Sequence, residues 1–230
     1  MRTAFLLSLM LASIAAADPT TEPTTQVSGT LGTPIELFNG KDLTGWTCIT
    51  RAGPTGPAAT QPSDFSDLWY VTNGILTDKG NPFGYIRTSV NYTNFTLLVE
   101  QRHLDKGNGG IFVAISGPDM IFPHCLEMQG LVGEEGDIRG ITTFKIHSDP
   151  ARTEARRFRK IGPNSEKPIG EWESILTIVD HGTIRLFVNG VFQNWAVNDG
   201  DLTGEVGLQA EGGLMEFRKV ELTPIMENQN

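Results

Sequence analysis

Gly107-Asn108-Gly109-Gly110-Ile111-Phe112-Val113-Ala114-Ile115 and, a little further on, His124-Cys125-Leu126-Glu127-Met128-Gln129 decide how this chain is read. A glycine turn opens into an apolar strand, and the second segment alternates in type. Successive side chains of a strand point to opposite faces, so Leu126 and Met128 face a core while Glu127 and Gln129 lie side by side on the other face. A carboxylate beside an amide can grip a polyhydroxylated ligand. It can equally be the solvated face of an antiparallel sheet.

The same pattern returns at Glu205–Glu211. Val206, Leu208 and Ala210 alternate with Glu205, Gly207, Gln209 and Glu211, which gives a second amide–carboxylate pair, Gln209 and Glu211. Within Phe95–Arg102, Glu100 and Arg102 share a face. If these strands lie in one sheet, their polar faces merge into a groove of Glu, Gln and Arg.

Outward from there, short apolar or alternating runs recur between Gly, Asn, Asp and Pro, and helical periodicity is nearly absent. Strands are expected near 35–38, 69–71, 75–77, 85–88, 95–102, 110–116, 125–129, 175–180, 183–188, 191–196, 205–211 and 214–222. Asn189-Gly190, His181-Gly182 and Asn73-Gly74 each mark a hairpin turn, with His181 a solvent-facing turn residue. The irregular stretches Arg51–Asp67 and Gly130–Pro168 are long enough to wall a groove or cap one end of a sandwich. The fold class is all-β, one sandwich domain.

Residues 1–17 read as a cleavable export leader. Arg2 supplies the positive end, Ala4 to Ile14 a short apolar run, and Ala15-Ala16-Ala17 a small-residue cleavage site before Asp18. The run is short for a membrane span, and no cysteine offers a lipid anchor, so the expected location is periplasmic or secreted. Residues 18–34, rich in Thr and Pro, are expected to be a disordered linker, 35–224 the folded domain, and 225–230 a tail. A net charge of −9 makes nucleic acid and anionic membranes poor partners. The basic cluster from Arg152 to Lys160 reads as an exposed loop or short helix. Cys48 and Cys125 leave one disulfide open as a question, and Asn91 and Asn94 head two glycosylation sequons.

No nucleophile elbow, phosphate loop or dinucleotide fingerprint appears, and the four histidines lack zinc-site spacing. No cofactor is specified, although plentiful Glu and Asp leave room for an oxygen-liganded divalent cation.

Leu37-Phe38-Asn39-Gly40-Lys41-Asp42-Leu43-Thr44-Gly45-Trp46 resembles the opening motif of the 3-keto-disaccharide hydrolase domains, also described as 3-keto-glucoside 1,2-lyase or 3-keto-2-hydroxyglucal hydratase domains. The resemblance continues through Trp69 to Leu76, Gly84 to Thr88, the turn Gly107 to Phe112, the strand Leu126 to Gln129, Glu166 to Trp172, Val188 to Gly190, Gly207 to Gln209 and Glu216 to Arg218. It covers Ile35 to about Leu222. Gly109 stands where Ser is usual, which puts a ligand contact in doubt, and Lys219 stands where Asn is frequent.

The resemblance implies a concanavalin A-like jelly roll with a sugar-binding sheet. It also implies a glycoside substrate oxidised at C3 by a separate sugar 3-dehydrogenase. A base then removes the C2 proton and the C1 substituent leaves by β-elimination. In that scheme Glu127 is the base or a metal ligand, and Gln129 and Gln209 orient hydroxyls. Arg87 or Arg102 balances enolate charge, and Asn108, Asp137 and Glu211 are further contacts. His124 serves as acid only if Pro123 distorts its end of the strand. The competing expectation is a non-catalytic, lectin-like glycan-binding domain on the same sandwich.

Overall fold

The computed structural model describes residues 25–52, 58–62 and 64–228. The expected leader, and the linker up to residue 24, lie outside the described residues. The first strands are β1 (Thr30–Leu31), β2 (Ile35–Glu36), β3 (Trp46–Arg51), β4 (Ala59–Thr60), β5 (Trp69–Thr72), β6 (Ile75–Asp78), β7 (Gly84–Thr88), β8 (Tyr92–Thr93), β9 (Phe95–His103) and β10 (Gly109–Ser116). They are followed by β11 (His124–Gln129), β12 (Ile138–Gly140), β13 (Thr153–Glu154), β14 (Arg157–Phe158), β15 (Glu173–Asp180), β16 (Thr183–Val188), β17 (Val191–Val197), β18 (Thr203–Ala210) and β19 (Met215–Met226). One 3-10 turn, Pro150–Arg152, interrupts them. No helix of the described residues is long and apolar enough to cross a membrane.

The strands form two antiparallel sheets. The first runs β17-β16-β15-β9-β19-β6-β5, with β1 and β2 also on β19. The second runs β13-β14-β12-β11-β10-β18-β7-β3-β4, with β8 also on β18. The three expected hairpin turns are all present. Asn73-Gly74, His181-Gly182 and Asn189-Gly190 each place both central residues at positive φ, the twist that suits a two-residue hairpin. The core fills the space between the sheets, with Phe95, Leu97 and Val99 of β9 meeting Ile111, Val113, Leu126 and Met128 of the second sheet.

One irregularity shapes the second sheet. Ala114 has φ 55°, and β10 slips by one residue against both neighbours. Val113 faces Leu126 but Ser116 faces His124, and Phe112 faces Gly207 but Ile115 faces Glu205. This is a β-bulge. It leaves Val113 and Ala114 in the main core, while Phe112 and Ile115 both join a smaller apolar cluster on the outer face.

Several expectations need correction. The chain is ordered before Ile35. Thr30 and Leu31 pair with Met226 and Ile225, and Ser28 donates its backbone N–H to Asp180 at 2.8 Å. Val27 packs on Ile178, Phe187 and Ile225. A Thr/Pro-rich stretch cannot build a core, but its backbone can pair with a strand that has room for another partner. For the same reason the last strand extends past residue 224, into the segment expected to be a tail. Cys48 and Cys125 are both buried free thiols. They lie on opposite faces of one sheet, Cys48 in the main core and Cys125 in the outer apolar cluster. Asn94 is buried, its side-chain oxygen accepts the His181 N–H at 2.8 Å and its Nδ2 lies 3.5 Å from His181 Nδ1, so the amide of that sequon is enclosed in the folded domain.

Candidate functional site

The outer face of the second sheet brings together the two amide–carboxylate strands. Gly110 of β10 stands opposite Gln129 on one side and Gln209 on the other, and Phe112 stands opposite Glu127 and Gly207. Directly paired residues share a face, so Glu127, Gln129, Gln209 and Phe112 form one surface. Tyr85 extends it opposite Gln209, Arg87 opposite Gly207 and Arg139 opposite Glu127.

Gly110 makes the centre of this surface possible. A Cβ there would lie 3.0 Å from both Gln209 Oε1 and Glu127 Oε1, and 3.2 Å from Glu127 Cγ. The two side chains therefore lean over the glycine toward each other. Beside them, Glu211 Oε2 accepts from Asn108 Nδ2 at 2.6 Å and from Gln209 Nε2 at 3.1 Å. Gln209 Oε1 and Asn108 Oδ1 are buried with no partner among the described residues. The Glu127 carboxyl likewise accepts no hydrogen bond from them. Glu127 and Gln209 are only 3% exposed, whereas Asn108 and Glu211 are half-buried. The result is a recess with Asn108 and Glu211 at its mouth and Glu127 with Gln209 at its base.

Burial dominates the electrostatics. Loss of hydration pushes Glu127 up to about 8, the Glu211 charge adds to the rise, and Arg139 opposes it. Burial also raises Glu211, against the Gln209 hydrogen bond and the charges of Arg139 and Arg51. Two carboxyls held close with raised affinity for protons can act as a general base and a general acid near neutral pH.

Below the recess the face is apolar. Ile49, Tyr85, Phe112, Ile115 and Cys125 cluster there, under Ala59 and Ile141, with Tyr85 and Phe112 edge to face at 5.6 Å. The Tyr85 hydroxyl is buried without a partner among the described residues. Arg87 is tied down. It pairs with Glu205 and, through Nε, with Asp119 at 3.2 Å, while Gln61 donates to Asp119 at 2.5 Å.

Other expected site residues fall elsewhere. Arg102 belongs to β9, in the first sheet, so it does not join the groove. It binds Glu216 at 2.7 Å through Nε and stacks 4.6 Å over Trp172. His124 follows the regular alternation of β11 and faces away from Glu127. Its Nδ1 lies 3.0 Å from Ser116 Oγ and its ring sits 4.6 Å from Phe144. The cavities around Phe144 take in His124 and His147 and are not lined by Glu127.

Gln129 and Asp137 share the face but are already spent, Gln129 on the backbone and Asp137 on the Arg157 side chain and the Lys160 backbone. Gln129 Oε1 accepts from the N–H groups of Gly130 and Leu131 at 2.9 and 3.0 Å. Asp137 accepts from Arg157 Nε at 2.5 Å and from the Lys160 N–H at 2.8 Å. Gly109 turns inward, where a Cβ would strike Met215 Sδ, so its departure from Ser concerns core packing rather than a ligand contact.

Sequence reading missed Arg139 and Tyr85. Arg139 sits on a three-residue strand inside a long irregular segment, too short for periodicity to show. Tyr85 was within reach, since alternation in Gly84-Tyr85-Ile86-Arg87 puts Tyr85 on the Arg87 face once Ile86 is assigned to the core. Among the described residues, metal-ligating side chains converge at His103, Glu135 and Glu173, away from this surface.

The fold has relatives. In overall shape the chain is similar to a protein of Parabacteroides distasonis classed as a glycosyl hydrolase, with TM-score 0.60, 21% identity, and 84% of this chain and 94% of that one covered. It is similar to SCLam, a non-specific endo-β-1,3(4)-glucanase of family GH16, with TM-score 0.58, 14% identity, and 89% and 95% covered. It also matches a carbohydrate-binding module of Bacillus subtilis, with TM-score 0.50, 12% identity, and 77% and 94% covered. At such identities the likeness shows the fold, a concanavalin-like β-sandwich. No curated protein matches the chain. The model of the 3-keto-α-glucoside-1,2-lyase-like domain matches residues 33–223, nearly all of the described sandwich, and the chain belongs to that family of carbohydrate-active domains.

Proposed function

We propose that this domain cleaves glycosides whose C3 hydroxyl has already been oxidised to a ketone. The observation that carries this reading is the buried Glu127 carboxyl, which accepts no hydrogen bond among the described residues, beside a Gln209 oxygen likewise unpartnered among them, with a second raised carboxyl, Glu211, at the mouth. A C3 ketone acidifies the adjacent C2–H. The Glu127 carboxylate, the form that gains population as pH rises toward 8, takes that proton, and the C2–H electrons form a C2=C3 double bond with negative charge on the C3 oxygen. The charge then returns to C3 as the ketone re-forms, the double bond moves to C1–C2, and the C1–O bond breaks. The departing oxygen takes a proton from Glu211. Water adding across the resulting double bond completes a net hydrolysis.

Gln209 Oε1 accepts a sugar hydroxyl, Asn108 binds a second, and Arg139 balances the enolate charge. The base works from a desolvated position, where each of these interactions is stronger than in water. The substrate comes from a sugar 3-dehydrogenase, and the leader at residues 1–17 carries the protein to the periplasm or outside the cell.

A second reading has one observation in its favour. With Glu127 only 3% exposed, a glycan resting on the surface meets Asn108 and Glu211 first, as a binding module would require. Matched 3-keto and unoxidised glucosides given to the purified domain separate the two. Cleavage of the keto compound alone supports the enzyme. Binding of both with no turnover of either replaces it with the lectin-like reading.

A further inference from the structure

At one end of the sandwich, away from Glu127, three metal-ligating side chains converge in the interior. His103 ends β9, Glu173 begins β15, and Glu135 lies on the loop leading to β12 of the other sheet. One ring nitrogen of His103 and one oxygen from each carboxylate lie within 4.8 Å of one another. The three residues are 5%, 1% and 5% exposed in the order His103, Glu135, Glu173. None of them belongs to the recess described above.

The cluster is held in place from behind. Gln101 Nε2 donates to Glu135 Oε1 at 3.0 Å, and the Lys167 N–H donates to Glu173 at 3.1 Å. Gln101 and Glu173 are directly paired across β9 and β15. Glu166 accepts the Glu135 N–H at 3.1 Å and the Lys160 ammonium at 3.0 Å, which fixes the loop over the cluster. Inside this shell His103 Nδ1 is buried with no hydrogen-bond partner among the described residues, while the Glu135 and Glu173 carboxyls lie within hydrogen-bonding reach of each other when one of them holds a proton. His103 Nε2 lies 2.6 Å from Glu135 Oε1.

A buried histidine and two buried carboxyls crowded together are costly unless something neutralises them. Burial raises Glu135 to about 7 and Glu173 to about 8, so a cation entering the cluster displaces protons from these carboxyls as it binds.

We propose that His103, Glu135 and Glu173 form a structural site for a divalent transition-metal ion of the zinc type, bracing the two sheets against each other. Ligands on a tetrahedral ion with bonds of about 2.1 Å stand about 3.4 Å apart, a spacing that falls between the 2.6 Å separating His103 Nε2 from Glu135 Oε1 and the 4.8 Å that bounds the trio. Mixed nitrogen and oxygen ligands suit Zn2+ better than Ca2+, which prefers oxygen alone. The hydrogen bonds from Gln101 and Lys167 are the second layer such a site needs to orient its carboxylates.

The test is to unfold the protein, refold it with Zn2+ or with chelator, measure Tm with the free ion or chelator still present, and then remove free metal and measure the metal that stays bound. Refolding is needed because the cluster is closed off in the native state. The expected result is about one Zn2+ retained per chain, with a Tm rise of roughly 5–10 °C at a hundredfold excess over Kd. Glu135→Gln keeps the shape and the Gln101 contact, and it should lose both the retained ion and the Tm rise. His103→Asn should do the same if Glu135→Gln fails to refold. A parallel refolding in Ca2+ should leave no retained ion. No retained Zn2+ in the native sequence overturns the proposal, as does retention that survives both substitutions or a preference for Ca2+. The trio would then be a carboxyl pair sharing a proton.

Discussion

Glu127→Gln should stabilise this protein while abolishing its chemistry. The substitution keeps the shape of a side chain that is only 3% exposed and removes its ability to ionise. Glu127 titrates near 8 in the folded domain, against an ordinary value of 4.5. Between those values the folded state holds a proton that the unfolded chain has released. Stability therefore falls as pH rises through that window, and it is unaffected by this group below about 4.5.

At pH 7, with one side 2.5 units above its pKa and the other about one below, the difference comes to roughly 3 kcal/mol against folding. For a domain of this size that corresponds to about 6–12 °C in Tm. The assay is thermal or urea unfolding of both proteins from pH 4.5 to pH 8. The glutamine variant should match the native protein at the acid end and exceed it progressively toward pH 8, with no turnover of a 3-keto glycoside. A variant equally or less stable across the whole range would refute the placement of a desolvated, unpartnered carboxyl at the base of the recess. A stability gain with lost function is what a strained active-site group produces on removal.

Other consequences follow from neighbouring contacts. Gly110→Ala puts a Cβ 3.0 Å from both Glu127 Oε1 and Gln209 Oε1 and should lower kcat/KM at least tenfold, while unfolding shifts by about 1 kcal/mol or less. A chain starting at Ile35 should unfold about 2 kcal/mol more easily in urea than one starting at Asp18, because Ser28 no longer bonds Asp180 and β1 no longer pairs with β19. Equal stability would restore the linker reading. Cys48 and Cys125 should stay unreactive toward a thiol reagent in the native state, since burial pushes Cys48 up to about 12 and Cys125 well above its usual value. Reducing agent should leave Tm unchanged, and a drop would reveal a disulfide.

The sandwich was legible because antiparallel strands with one buried face carry a period of two, and because Asn-Gly and His-Gly pairs set their own turns. The recess was legible for the same reason at Glu127, Gln209 and Glu211. Alternation, however, fixes a face and never a sheet. That is why Arg102, correctly placed on the polar face of its strand, turned up in the first sheet. It also says nothing of what a polar side chain bonds to, so Gln129 and Asp137 looked available while the backbone and Arg157 had claimed them. The pairing of Thr30 with Met226 left no apolar signal, since backbone groups alone make it. The trio of His103, Glu135 and Glu173 is assembled from residues up to 70 positions apart, which only the fold brings together.

The account rests on proton abstraction from C2 by Glu127. The most direct measurement incubates a 3-keto glucoside with the native domain and with Glu127→Gln, using substrate carrying hydrogen or deuterium at C2, and compares cleavage rates. The account predicts severalfold slower cleavage of the deuterated compound by the native domain and no cleavage by the variant. Cleavage by the variant at the native rate, with no sensitivity to deuterium at C2, would contradict it.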